Sequence, residues 1–370
     1  MPMLGADMDA GTLVQWLKHP GDALKRGDII AVVDTQKGAI EIEVFEDGVL
    51  DQIVVQTGTK VPVGTVLARI RGAAERPMTP APSAPMRVAS PAAAARQRVT
   101  PMARKRAAEL GVDLSRLTGT GGDGVVTHED VERAAAAAGP AASPVPPADR
   151  SAAMRAAIGA AMARSKRDIP HYYLSSTIDM SRAQAWLLAE NGKRPVTERL
   201  LPAVMLIKAV ALALREVPEL NGTWVDGAFR NGAGIHVGCA ISLRGGGLVA
   251  PALHDADRST LPALMHAFQD LVARARAAQL RSSELADPTI TVTSLGEQGV
   301  DTAFGIIYPP QVAIVGFGRI AVRPWVVDNR VEARPVVTAT LSADHRASDG
   351  HRGSLFLAAV DRWLQTPEKL

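Results

Sequence analysis

The sequence predicts a multidomain protein with a small all-β module, a small all-α module and a large α/β domain, in that order. Three observations carry this reading. An internal repeat fills the first 70 or so residues, two alanine- and proline-rich stretches interrupt the chain, and the remainder alternates between helix-period and strand-period segments. A length of 370 residues fits two or three domains.

The repeat reads "GTLVQWLKHPGDALKRGDIIAVV" from Gly11 and "GVLDQIVVQTGTKVPVGTVLARI" from Gly48, an offset of 37 residues. Gly21 and Gly58, Gly27 and Gly64, Leu13 and Leu50, Leu24 and Val61, Ile30 and Leu67, and Val33 and Ile70 correspond. Glycines and strand-type residues repeating together imply two similar half-sheets related by an approximate twofold axis. The joint is "DTQKG", followed by the alternation Ile40, Glu41, Ile42, Glu43, Val44 of a half-buried strand. Lys37 is thereby placed at an exposed hairpin tip, where most lysines are simply solvated.

Two linkers are expected next. Residues 73–96 hold nine Ala and five Pro, and residues 134–150 hold eight Ala and four Pro. Such mixtures favour extended, semi-rigid chain that buries no core. At ~3.1 Å per residue they reach on the order of 70 Å and 50 Å, enough to let the flanking modules travel.

Between the linkers, Thr100 and Pro101 form an N-cap and first-turn pair, and Gly111 ends the helix after Leu110. Leu114 and Leu117 suggest a short second turn, and Thr127 caps a helix containing Asp130 and Val131. The "GTGGDG" loop lacks the preceding strand and the Lys-Ser/Thr that a phosphate cradle requires. With little core and the cluster Arg104, Lys105, Arg106, this segment reads as a docking module.

In the large domain, "MRAAIGAAMARSKRD" is an amphipathic helix that ends before Pro170. "HYYLSSTIDM" is strand-like, and "LPAVMLIKAVALALREV" is a helix apolar on nearly every side and hence buried. Strands are expected at "IHVGCAIS", "LVAPAL", "TITVTSL", "QVAIVGFG" and "PVVTATLSA". A long helix is expected over roughly Leu261 to Leu280, and another closes the chain. Helices packing on one mixed sheet follow.

Composition narrows the function. Forty-one basic and 38 acidic residues give a net charge of +3 without a basic run, and only 4% of residues are aromatic. That balance argues against a nucleic-acid or polyanion surface. A single cysteine, Cys239, excludes an intramolecular disulfide and a multi-cysteine metal site, and its strand context reads as core. No apolar run approaches the ~20 residues of a membrane span. The β-repeat begins almost at once, so no signal or transit peptide is expected. A bacterial cytoplasm, or the mitochondrial matrix for a processed eukaryotic form, fits best.

The final strand runs into "SADHRASDG". His345 at a strand end has a side chain whose ordinary pKa, about 6.5, suits proton transfer near neutrality. Asp349, four residues on, is read either as its partner or as a turn or helix-start aspartate.

These strings together resemble the dihydrolipoamide acyltransferases, the core components of 2-oxo acid dehydrogenase complexes. "MPMLGADMDAGTLVQWLKHPGDALKRGD" and "DTQKG" are similar to the lipoyl domain, with Lys37 at the lipoylated position. "TPMARKRAAELGVDLSRLTGTGGDG" resembles the peripheral-subunit-binding domain. "SKRDIPHYYLSSTIDM", "GGGLVAPALHDADRSTL", "TITVTSLG", "IIYPPQVAIVGFG" and "DHRASDG" resemble the catalytic core. The resemblance implies a flattened lipoyl β-barrel, a small all-α binding domain and a chloramphenicol-acetyltransferase-like α/β core. The implied division is residues 1–72 lipoyl domain, 73–96 linker, 97–133 binding domain, 134–150 linker and 151–370 catalytic domain. Three departures stand out. The usual Asp-Lys-Ala is Gln36, Lys37, Gly38 here, and Val125 and His128 replace an arginine and a lysine, leaving Arg104 and Lys105 for docking. The usual core serine is Thr293, with Ser294 as the neighbouring alternative.

The resemblance further implies acyl transfer, preferably of acetyl, from lipoate on Lys37 to coenzyme A. His345 would act as general base on the coenzyme A thiol, Thr293 would hydrogen-bond the acyl oxygen, and Asp349 would orient the loop or the imidazole. A site shared between subunits of a homotrimer is implied, with a thiamine-dependent decarboxylase and a flavin-dependent dihydrolipoamide dehydrogenase as partners. A scaffold subunit without transfer, and a succinyl or branched-chain acyltransferase, are the alternatives.

Overall fold

The structure, a computed structural model, describes residues 1, 10–35, 38–72, 99–110, 119–121, 125–138, 147–243 and 247–370. Lys37, Gln36, the stretch 73–96, Gly111, Leu114 and Leu117 lie outside these residues. Two compact units are formed, one by residues 1–75 with 150–370 and the other by residues 76–149.

The repeat becomes a folded duplication. Strands β1 (Ala10–Trp16), β2 (Ala23–Leu24) and β3 (Ile29–Thr35) precede β4 (Gly38–Glu43), and their copies follow as β5 (Gly48–Ile53), β6 (Lys60–Pro62) and β7 (Ala68–Gly72). Leu13 pairs with Val33 between β1 and β3, and Leu50 with Ile70 between β5 and β7. The register slips at equivalent places, between Leu13 and Gln15 and between Leu50 and Gln52. Each half also lends a strand to the other, since β1 pairs with β6 and β5 with β2. Gly21 and Gly58 (φ 99° and 83°) turn the chain through backbone conformations that favour glycine. Leu13, Val33, Ile40 and Leu50 fill the core between the two sheets.

The second unit contains α1 (Pro101–Leu110) and α2 (His128–Ala138). Thr100 Oγ1 accepts from the Ala103 N–H at 3.2 Å, the expected N-cap. Ala103, Ala107, Val126 and Val131 make its small core. Residues 134–138 continue α2 and residues 147–150 open α3 (Pro147–Asp168), where extended chain was expected. Alanine is the strongest helix former and proline suits a first helical turn, so these linker-like compositions extend the neighbouring helices.

In the large α/β domain, α3 leads into β8 (His171–Asp179), α4 (Ser181–Gly192), α5 (Pro202–Glu216) and the hairpin β9 (Gly222–Val225) and β10 (Ala228–Asn231). Short strands β11 (Val237–Cys239), β12 (Ile241–Ser242), β13 (Leu248–Val249) and β14 (Ala252–Leu253) precede α6 (Leu261–Arg276). Next come β15 (Leu280–Arg281), α7 (Ser282–Ala286), β16 (Ile290–Ser294), β17 (Ala313–Phe317), β18 (Ala321–Val327), β19 (Arg330–Asp344) and α8 (Gly350–Gln365). The main sheet runs β14-β11-β16-β17-β19-β18, with β8 on the C-terminal half of β19. Helix α5 is buried from Val204 to Leu214, as its all-round apolar pattern requires. Its one charged member there, Lys208, donates to the carbonyls of Ala256, Asp257 and Ser259 at 3.2, 2.8 and 2.6 Å. Helix α6 stops at Arg276 rather than near Leu280, and Ala278 beyond it takes a positive φ of 56°. Strand β15 pairs in parallel with β4 of the lipoyl-like sheet.

Candidate active site

The His345 turn is built on an ion pair whose acid is buried and whose base reaches the surface. Asp344 ends β19 fully buried, and Arg346 Nη2 and Nε donate to its two oxygens at 2.7 and 2.9 Å. The Arg346 guanidinium also lies 4.7 Å above the Trp224 ring. Asp344 is committed to the protein interior, while His345 and Arg346 both face solvent. The His345 backbone N–H donates to the Pro170 carbonyl at 2.9 Å, and among the described residues nothing hydrogen-bonds its ring nitrogens. The imidazole is held by its main chain and left chemically open.

Strand β8 supplies the wall beside it. The Tyr172 ring meets His345 edge-on at 5.3 Å, and its hydroxyl is 2.9 Å from Ser348 Oγ. Burial pushes the Tyr172 phenol above its usual value, so it stays protonated. His171 Nδ1 donates to the Ile169 carbonyl at 2.9 Å, while Nε2 accepts from the Ile307 N–H at 3.2 Å. Burial holds His171 below the ordinary histidine range, consistent with a neutral, structural ring. Asp349 is the N-cap of α8 and accepts from the Arg352 N–H at 2.9 Å. That bond, above all, lowers its pKa.

Thr293 lies elsewhere. It lines a pocket of about 560 Å³ together with Ser294, Ser242, Arg276, Phe268 and Cys239. The Cys239 thiol is buried and pushed up to about 12, so it is an inert wall residue. Thr293 pairs with Gly316 on β17, and Gly316 pairs with Thr340 on β19. His345 is five residues past Thr340, roughly 16 Å of extended strand away. One chain therefore does not bring Thr293 and His345 together.

Arg104 and Lys105 are exposed on α1, while Arg106 is tied to Glu132 of α2 at 3.0 Å. Asp130 accepts from the N–H groups of Thr127 and Thr120 at 3.0 and 2.9 Å, which holds its carboxyl far below the usual range. Thr35 of β3 pairs with Gly38 of β4, and Gln36 and Lys37 between them lie outside the described residues. Among the described residues no helix is long and apolar enough to cross a membrane.

Known proteins share this layout. The family model described as 2-oxoacid dehydrogenases acyltransferase (catalytic domain) matches residues 148–370. The chain belongs to that family. It is thus an acyltransferase, and its other modules match the models for a biotin-requiring enzyme over residues 1–70 and an e3 binding domain over residues 98–132. The dihydrolipoyllysine-residue acetyltransferase component of the pyruvate dehydrogenase complex of Rhizobium meliloti is 30% identical, covering 99% of this chain and 98% of that protein. The lipoamide acyltransferase component of the branched-chain alpha-keto acid dehydrogenase complex of Bacillus subtilis is also 30% identical, covering 99% and 96%. A probable dihydrolipoamide acetyltransferase from Listeria monocytogenes superposes with a TM-score of 0.55 at 31% identity, over 62% of this chain and 96% of that one. For this acyltransferase, sequence reasoning missed Arg346, Trp224, Tyr172 and Ser348. The adjacent "DHR" was the available signal, since an acid and a base flanking a histidine can clamp a turn.

Proposed function

We propose that this acyltransferase moves an acetyl group from lipoate carried on Lys37 to coenzyme A, within a pyruvate-type 2-oxo acid dehydrogenase complex. The observation that carries the reading is the His345 imidazole, presented to solvent on a turn clamped by the Arg346 pair to buried Asp344. Lipoate in amide linkage to Lys37 would supply a thiol that holds the acyl group as a thioester. An alkyl thiol with a pKa near 8.5 is only a few per cent ionised at pH 7. His345 takes the proton from the coenzyme A thiol, whose sulfur bonds to the acyl carbon as the bond to the dihydrolipoyl sulfur breaks and that sulfur receives the proton. Thr293 Oγ1 donates to the acyl oxygen as negative charge develops there. Asp349 fixes the start of α8 and with it the loop that carries His345.

The separation of these two groups within one chain, two strand spacings across the sheet plus five residues along β19, supports a site shared between copies, which we assign to a homotrimer. Arg104 and Lys105, exposed on α1, are the proposed contacts for the thiamine-dependent decarboxylase and the dihydrolipoamide dehydrogenase. A bacterial cytoplasm is the proposed compartment. The test is thiol release from acetyl-CoA with dihydrolipoamide as acceptor. His345→Ala is expected to lower kcat by about 10²–10⁴-fold. Equal turnover by the variant overturns the assignment.

A further inference from the structure

Glu43 is an outward-facing carboxylate that is nevertheless buried. On β4, Ile40 and Ile42 point into the lipoyl-domain core, so Glu41 and Glu43 belong to the opposite face of an edge strand. A glutamate there is ordinarily solvated and keeps other strands away. Glu43 is instead only 8% exposed, and the side chains that meet its carboxylate and its N–H belong to the large α/β domain. Ser283 Oγ donates to its carboxylate, Arg281 Nη1 approaches at 3.8 Å, and its own backbone N–H donates to Ser282 Oγ at 3.2 Å.

We propose that the β15–α7 edge of the catalytic domain is a receptor for the chain's own lipoyl domain, capturing β4 by parallel strand pairing and Glu43 by this polar latch. Leu280 pairs with Ile40 and Arg281 with Glu41, so β15 extends the lipoyl sheet. Leu285 of α7 packs against both hydrophobic cores. The receptor is rigid by itself, because Glu284 of α7 is buried and held by a two-pronged Arg274 pair. A carboxylate loses its hydration here only because charged and hydrogen-bonding partners replace it. The interface is small, which suits reversible capture of a tethered domain at high effective concentration.

The direction of pairing gives the capture a use. Parallel register sets the start of β4, the residue directly after Lys37, toward Ala278 and the C-terminal end of α6. Arg276 at that end lines the pocket that holds Thr293. The capture rests on geometry alone, whereas its value for delivery rests on the function proposed for Lys37.

Cross-linking in the full chain tests it. Ala39→Cys and Gln279→Cys flank the Ile40–Leu280 pair and leave the latch intact, and buried Cys239 does not compete for a short bis-maleimide. A cross-linked peptide joining residues 39 and 279, read by mass spectrometry, is expected. Adding Glu43→Arg should cut its yield at least about tenfold, as should Ser282→Ala with Ser283→Ala in the other domain, since an unpaired buried charge opposes docking. Acetylation of free dihydrolipoamide should be unchanged in all of these, which separates loss of capture from loss of the active site. Yield no higher than in single-cysteine controls, yield insensitive to both latch variants, or a covalent dimer of two chains overturns the proposal.

Discussion

Asp344 and Arg346 clamp the turn that contains His345: the carboxylate is wholly buried and the guanidinium bonds both of its oxygens, at 2.7 to 3.1 Å. The candidate base is thus the exposed middle residue of a structural pair, and its position depends on neighbours that do no chemistry.

Arg346→Ala would leave a buried carboxylate without its partner. A loss of about 1–3 kcal/mol in stability is expected, less than for a fully buried pair because Arg346 is itself exposed. Denaturant unfolding measures it, and kcat should fall along with it because His345 loses its anchor. A change within experimental error would show that the pair does not hold the turn.

Thr293→Ala removes the proposed donor to the acyl oxygen. We expect kcat to fall by about 10²–10³-fold with little change in KM, whereas Thr293→Ser keeps the hydroxyl and most of the rate. Steady-state kinetics with dihydrolipoamide distinguishes this from a packing role, in which serine would be no better than alanine.

Asp130 links the binding domain to pH. Its folded pKa is depressed, first by the Thr127 backbone bond and then by the Thr120 bonds. The stability it contributes is therefore present above the unfolded value, about 3.9, and is lost as pH falls toward the lower folded value. The protection factors of the Thr120 and Thr127 amides, exchange relative to the unstructured rate at the same pH, should fall on acidification below about pH 4 in the native chain. Asp130→Asn should show faster exchange already at neutral pH and a flatter pH response.

Lys37→Arg should abolish the lipoyl mass increment on the intact chain while leaving acetylation of free dihydrolipoamide untouched. Gln36→Asp restores the acidic neighbour usual in the family and should raise the fraction of chains loaded. Intact mass spectrometry reads both, and a lipoyl group persisting in Lys37→Arg would reject the carrier assignment.

The duplication around Gly21 and Gly58, the buried helix α5 and the strands β8, β16, β17 and β19 were legible in the chain, because each follows from residues close in sequence. Helix α4, the β9–β10 hairpin and β18 were not. Helix α4 buries only Ala183 and Leu187, and β18 exposes Val322 and Val326, so neither carries a clean hydrophobic period. The histidine was equally legible as a residue type at a strand end. Its clamp by Asp344 and Arg346, and its wall of Tyr172, were not, since β8 reaches β19 from about 170 residues away. Local pattern by itself determined that this chain is a β-duplication, a small helical module and an α/β core with a histidine at the end of its last strand. Only the tertiary structure decided that Thr293 and His345 stand apart within one chain, and that the outward face of β4 is covered at Glu43. Both are matters of which surfaces meet, and burial of a charged group is settled by distant partners rather than by the residue's own neighbours.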